Sequence, residues 1–257
     1  MAGTVEVRTE GAVAIVRLDN PPLNLLTMSM RASLREVAES IREDAGIRAV
    51  VVDSQDGRAF CAGSDIREFP VSSRAGRERA VSEHACYDAI ASLPQPVIAG
   101  LFGHVLGAGL ELALACDLRV ADGGTRLGLP EVKLGVFPSG AGTQRLPRVV
   151  APSTAKRMMF LGEVIDAGRA LSLGLVDEVV EDGQVATHAL SLASRIAEQP
   201  ALSVQAIKRA TDHGLAYGAR AGQALEVELI AGLFGSRDAK EGVEAFLASR
   251  PPRFVHE

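Results

Sequence analysis

Neither the five histidines nor the three cysteines of this chain fall into a metal-binding or redox spacing. HxH, HExxH and CxxC are all missing, which disfavours a metal centre and a dithiol site. Cys61, Cys86 and Cys116 cannot all pair, and reduced, buried thiols in a cytoplasmic protein are the simplest expectation. There is no excess of basic charge either: a net charge of −5 gives no electrostatic case for nucleic acid or an anionic membrane. No apolar run reaches the roughly 20 residues of a membrane span. VIAGLF and LELALAC are both short, with glycines between them. The opening residues, MAGTVEVRTEG, have neither the apolar core of a signal peptide nor an arginine-rich amphipathic face. A G-x-S-x-G elbow is lacking, and the glycines from Gly103 to Gly109 do not spell G-x-G-x-x-G. A serine hydrolase and a Rossmann dinucleotide site are therefore disfavoured.

What is present is an ordinary soluble composition, 47% hydrophobic and 23% charged, in 257 residues, enough to bury a sizeable core. TVEVR (4–8) and AVAIVRL (12–18) read as a hairpin around Gly11, and DNPPLN ends the second strand. Leu34, Val37 and Ile41 recur at helical spacing between charges, predicting an amphipathic helix over 29–42. Val50 to Asp53 reads as a buried strand, so strand, helix and strand alternate, the signature of a β/α core. PVSSRAGRER (70–79) is polar and without period, and is expected to be a mobile loop before a helix over 83–93. Beyond Gly183 helical patterns run nearly to Ala248, broken at Pro200, Gly218 and Gly235–Ser236. Residues 1–195 are read as the core and 196–257 as a helical appendage. Leu225, Leu229 and Leu233 there form an apolar face that a small appendage cannot bury alone.

The chain is organised around Pro96 to Asp117, PVIAGLFGHVLGAGLELALACD. An apolar strand runs into a glycine-rich turn and then into a helix apolar on nearly every side. That helix carries one carboxylate, Glu111, and burying an unpaired carboxylate costs several kcal/mol, roughly, unless it is paired or protonated. The first turn of such a helix has backbone N–H groups without partners, so the N–H near Ala108 is available to an anion or a carbonyl oxygen. An ordinary strand-to-helix connection whose glutamate reaches the surface fits the same residues. AFCAGSDIREF (59–69) repeats the arrangement, with small residues before Asp65 and a free N–H near Ser64; a plain loop with an N-capping aspartate fits it too. Pro130 suits the first position of a helical turn, which sets a second carboxylate, Glu131, at its start. Two converging N–H groups make an oxyanion hole, and two carboxylates beside it suit addition of water across an α,β-unsaturated carbonyl. His104 reads as structural and Asp117 as a local hydrogen-bonding group.

FCAGSDIREF, then PVIAGLFGHVLGAGLELALACDLRVA, then LPEVKLGVFPSGAGTQRLPR, in that order, resemble the enoyl-CoA hydratase/isomerase (crotonase) superfamily. LDNPPLN and EGVEAFLASRPPRF extend the resemblance to nearly the whole chain. It implies an α/β fold, a spiral of ββα repeats whose C-terminal helical region builds homotrimers or, as paired trimers, homohexamers. It implies an enoyl-CoA hydratase, a carbon–oxygen lyase of fatty-acid or related acyl-CoA metabolism, with an acyl-CoA thioester as substrate and no metal or cofactor beyond the CoA of the substrate. By that resemblance the N–H groups of Ser64 and Ala108 form the oxyanion hole, Glu111 is the base toward water and Glu131 supplies the α-proton. The backbone of Ala59, Cys61, Ala62 and Gly63 meets the adenine, and Arg58 and Arg67 approach the CoA phosphates, although each arginine taken singly fits a solvated surface equally well. Asp65, Ile66, Gly107 and Ser139 complete the substrate contacts. Ala108 and Ser139 depart from the family pattern, each replacing a usual glycine. A 3-to-2 enoyl-CoA isomerase, which needs one carboxylate, and a non-catalytic acyl-CoA-binding protein are the alternatives; retention of both glutamates favours the hydratase.

Overall fold

A computed structural model describes residues 3–54 and 58–257. β1 (Thr4–Glu10) and β2 (Val13–Asp19) pair antiparallel across a turn in which Gly11 takes a φ of +58°, the left-handed region that favours glycine. The amphipathic helix α1 (Met28–Glu43) follows, capped by the Thr27 hydroxyl, with Met30, Leu34, Ala38 and Ile41 on its buried face. β3 (Ala49–Ser54), rich in valine and buried at all six positions, pairs parallel to β2. β4 (Ala59–Cys61) comes next and is buried throughout.

Of residues 70–79, expected to be a loop, only 70–72 are one; 73–79 are helical. α2 runs from Ser73 to Ala91, and the Ser72 hydroxyl accepts from Ala75 N (3.3 Å). The first half of this helix is mostly solvent-facing, so it carries no apolar period, and Arg74 pairs with Glu78 one turn on. Burial begins only at Glu83, Cys86, Tyr87 and Ile90. Periodicity reports burial of one face, and this helix has one over only half its length.

β5 (Val97–Leu101) leads into β6 (His104–Leu106), a short strand inside what the sequence presents as a single glycine-rich turn, and then into α3 (Ala108–Ala115), whose eight residues are all buried. β7 (Leu118–Asp122) and β8 (Arg126–Gly128) follow; Pro130 precedes, rather than opens, a 3₁₀ turn over Glu131–Leu134. Then come α4 (Gly142–Val149), α5 (Pro152–Leu161), β9 (Val164–Asp166), α6 (Ala167–Ser172) and β10 (Glu178–Val180). The large sheet has the order β1-β2-β3-β5-β7-β10 and the small one β4-β6-β8-β9. Each of β3, β5 and β7 thus lies in the large sheet and is followed by a strand in the small one, which is the ββα spiral.

The contact of α3 with β4 is close. A Cβ added at Gly109 would overlap the Cys61 carbonyl oxygen and come within 2.8 Å of Cys61 Cβ. Gly109→Ala is therefore expected to push α3 off the small sheet and lower stability by about 1–3 kcal/mol, with a matching fall in the thermal midpoint. An unchanged midpoint would mean that the two elements have slack.

α7 (Val185–Ala197) lays Ala189, Ala193 and Ala197 on the outer face of the large sheet, against Val13, Ile15, Val51 and Ile98. α8 (Ala201–Tyr217) is tied to the core by Lys208, whose Nζ donates to Asp117 Oδ2 (2.7 Å) and Gln95 O (3.2 Å). Asp117 also accepts from Val97 N (2.7 Å), so it is a structural acceptor. α9 (Ala219–Leu233) crosses α8 where Gly214 meets Gly222, and α10 (Arg237–Leu247) closes the chain. Leu225, Leu229 and Leu233 are half-buried, whereas Ile207, Val227, Ile230 and Phe234 stand exposed. No helix among the described residues is long and apolar enough to cross a membrane.

Candidate active site

The spiral brings the ends of β4 and β6 together. These strands pair parallel with Cys61 opposite Val105, and three residues further along each strand stand Ser64 and Ala108. The two turns touch: a Cβ at Gly107 would lie 3.7 Å from Gly63 Cα. On the Ser64 side, Gly63 O accepts from Leu26 N (2.9 Å) and Asp65 N donates to Leu26 O (3.1 Å). That is a parallel bridge centred on Ser64, and its geometry turns the Ser64 N–H away from Leu26. On the other side Ala108 is the first residue of α3, so its N–H has no intrahelical acceptor. The left-handed strain falls on Gly107, with φ +52°, and Ala108 accommodates its methyl within the helix.

Ser64, Glu111, Glu131 and Ser139 all line one cavity of about 420 Å³, walled also by Phe69, Pro70, Val136 and Phe137. Glu111 is 4% exposed, and Gly142 N donates to its Oε1 (3.0 Å). Gly140 and Gly142 cradle the carboxylate; a Cβ at either would come within 2.6 or 2.9 Å of it. Burial first, and the neighbouring Glu131 second, push the Glu111 carboxyl up to about 8. Burial likewise pushes Glu131 up to about 7. Glu131 Oε2 is buried and accepts no hydrogen bond from the described residues, and its Oε1 would lie 3.0 Å from a Cβ at Gly107. Two carboxyls with raised affinity for protons thus share one cavity with Ser64, close to the first turn of α3, an arrangement suited to proton transfer.

The residues expected to meet CoA are mixed in character. Asp65 caps the short turn Ile66–Glu68 and binds the Arg67 guanidinium (Nη2–Oδ2 2.5 Å), which holds its carboxyl at about 2. The Arg67 side chain remains 80% exposed, and Arg58 and Ile66 are exposed. Ala59 and Cys61 are fully buried; the Ala59 carbonyl already accepts from Asn24 Nδ2 (2.8 Å), and the Cys61 thiol points into the core. Ala62 is half-buried and Gly63 is held at φ +127°. His104 is exposed and apart from the cavity lining. Among the described residues no group of His, Cys, Asp and Glu is gathered for a metal.

Sequence reasoning passed over a third carboxylate. Glu83, 4% exposed, lines the same cavity and takes Arg31 (3.2 Å) and Arg79 (3.0 Å) on Oε1 and the Ser139 hydroxyl (3.2 Å) on Oε2. Arg31 Nη2 in turn donates to Ser64 Oγ (2.7 Å). An acidic residue and its arginine one turn earlier in a polar helix look like a solvated pair; only the folded position of α2 makes them part of the site.

The family model for enoyl-CoA hydratase/isomerase matches residues 8–257. A probable enoyl-CoA hydratase of Bacillus subtilis is 36% identical over 98% of this chain and 99% of its own length. A crotonyl-CoA hydratase of Syntrophomonas wolfei is 31% identical over 96% of this chain and 95% of its own. The crystal structure of an enoyl-CoA hydratase from Bacillus anthracis superposes with a TM-score of 0.94 at 32% identity, covering 98% of this chain and 99% of that one. With the ββα spiral and the paired carboxyls in place, these matches settle the family: the chain belongs to the enoyl-CoA hydratase/isomerase family.

Proposed function

We propose that the protein hydrates 2-trans-enoyl-CoA thioesters. The observation that carries this reading is the pair Glu111 and Glu131 in one cavity with Ser64, beside the first turn of α3. The thioester oxygen accepts from the N–H groups of Ser64 and Ala108. Glu111 takes a proton from water as its oxygen bonds to the β-carbon, and the electron pair moves onto the thioester oxygen. Glu131 then delivers a proton to the α-carbon, the carbonyl reforms, and the product is a 3-hydroxyacyl-CoA. One carboxyl starts ionised and the other protonated, so the pair must hold one proton. No cofactor is needed beyond the CoA of the substrate. The hydratase names carried by relatives over nearly their full length support the reading. A panel of short and long 2-enoyl-CoA thioesters, followed at the loss of conjugation, tests it; binding without turnover across the panel would leave a silent acyl-CoA binder. Double-bond shift of a 3-enoyl-CoA without hydration would make it an isomerase.

Two further proposals accompany this one. Arg58 and Arg67 meet the CoA phosphates, so alanine at either should weaken CoA-thioester binding by an amount that shrinks as salt rises. Unchanged affinity at low salt would return both to the solvated surface, where Arg67 already has Asp65 as its partner. Residues 196–257 form a region that assembles the protein as a homotrimer or homohexamer through the exposed apolar side chains of α8 and α9. Light scattering at micromolar concentration should give a trimer or its double, and a monomer would remove the assembly proposal.

A further inference from the structure

One face of α2 grips the loop that cradles Glu111. Glu83, His84, Tyr87 and Asp88 stand on neighbouring turns of that helix, and all four meet the segment 139–145. Glu83 Oε2 accepts from the Ser139 hydroxyl (3.2 Å). His84 Nε2 lies 2.6 Å from Ser139 O; a carbonyl oxygen only accepts, so the ring nitrogen carries the proton and donates. The Tyr87 ring fills the place where a Cβ at Gly140 would stand. Asp88 Oδ1 accepts from Arg145 Nη2 (2.6 Å), and the same guanidinium donates from Nη1 to Gly140 O (3.3 Å). The helix thus holds Ser139 by both its side chain and its main chain, and Gly140 by packing and through Arg145.

That segment needs holding. Ala141 takes a φ of +73°, in the left-handed region that a residue with a Cβ rarely occupies, and it stands between two glycines that the Glu111 carboxyl leaves no room to replace. A residue in such a conformation persists where its surroundings over-determine it. Gly142, the next residue, opens α4 and donates its N–H to Glu111 Oε1 (3.0 Å), so the strained turn is what aims that donor. His84 is exposed and lies outside the cavity walls; the bond to Ser139 is what connects it to the site. We infer that Glu83 and His84 are positioning residues for hydration: by fixing Ser139 they hold the turn at Gly140–Gly142, and with it the orientation of the Glu111 carboxyl toward water. The inference rests on the hydratase reading for the role of Glu111. It also gives Ser139, a departure from the family pattern, a use, because a glycine there has no hydroxyl to donate to Glu83.

Substitutions that leave Glu83 with its two arginines test this without disturbing the buried ion pairs. His84→Ala and Ser139→Ala should each lower kcat for a 2-enoyl-CoA about threefold to tenfold, and together about tenfold to a hundredfold, with affinity for a saturated thioester changed by less than about threefold. His84→Gln, whose amide nitrogen takes the place of Nε2, should recover most of the loss. In a Glu111→Gln background the paired substitutions should cost nothing further, since the base they orient is already gone. Hydrogen exchange reads the turn without turnover: the amides of 139–145 should exchange faster in the His84→Ala, Ser139→Ala double variant, while those of α3 keep their protection. Unchanged kcat or unchanged exchange in that variant overturns the inference, as does a further loss in the Glu111→Gln background. An unaltered protein that hydrates no 2-enoyl thioester, with exchange at 139–145 still governed by His84 and Ser139, upholds the hold on the Glu111 cradle and overturns the hydratase reading instead.

Discussion

Glu111→Gln and Glu131→Gln are each expected to lower kcat for a 2-enoyl-CoA by about a hundredfold to ten-thousandfold, the usual worth of a positioned general acid or base. Glutamine keeps the shape of the side chain and can still accept from Gly142 N at position 111, so the cradle of Gly140 and Gly142 is preserved. What it removes is the proton. Because both residues serve one transition state, the double variant should lose far less than the product of the two single losses. Affinity for a saturated acyl-CoA should survive, since it depends on the N–H pair and the CoA contacts. The pH dependence follows from the same pair. Both carboxyls are raised, Glu111 to about 8 and Glu131 to about 7, so the pair holds one proton near neutral pH and kcat/KM should fall on both sides; in the unliganded protein that proton rests mainly on Glu111, and the reactive form, with the proton on Glu131, is its minor tautomer. An isomerase would keep its double-bond shift in one variant and lose it in the other. A hydratase indifferent to both substitutions would remove these residues from the chemistry.

Burial of these carboxyls also has a sign for stability. Their folded-state values lie above the ordinary 4.5, so the folded chain binds protons that the unfolded chain releases. Their contribution is therefore most favourable at low pH and is lost as pH rises from about 4.5 through about 8. Glu111→Gln should flatten that part of the stability profile.

Ala108→Pro carries the second large effect. Proline suits the first position of a helix, where its ring meets no intrahelical acceptor, and it deletes the N–H without adding a polar group. Loss of one oxyanion donor typically costs about a hundredfold to a thousandfold in kcat. The expected result is a fall of that size with affinity for saturated thioesters changed much less, since the donor matters most when the oxygen carries charge. Circular dichroism of the variant reports whether α3 still forms. A folded variant with kcat within about threefold of the original would mean that Ala108 N–H contributes little to the barrier.

Much of the fold could be read from the chain because its signals are local. The hairpin at Gly11, the face of α1, the α3 helix apolar at every position but Glu111 and the helix breaks at Pro200, Gly218 and Ser236 each rest on a few neighbouring residues. β6 was hidden because three residues between glycines carry no period. The first half of α2 was hidden because it faces water. Within the candidate site the same division holds. Glu111 is conspicuous as a carboxylate in an apolar helix, and Glu131 by its place after Pro130. Glu83, Arg31 and Arg79 carry no such mark, because what makes them unusual is the tertiary burial of an ion-pair cluster in polar sequence. The Ser139 departure could be seen from sequence, but its partner, Glu83, could not.

The Ser64 and Ala108 amides stand just beyond the ends of β4 and β6, neighbouring strands of one parallel ladder. Their placement therefore follows from the backbone of that ladder and of the glycine turns at Gly63 and Gly107, rather than from any side chain. A gauge built from backbone depends on its glycines, Gly63, Gly107 and Gly109, and little on other side chains, whereas the walls of the cavity come from α2 and the segment after Glu131, both outside the ladder. Such a division lets a lineage retune which acid it accepts by altering one helix and one loop while the spacing that cradles the enolate oxygen stays where the sheet puts it.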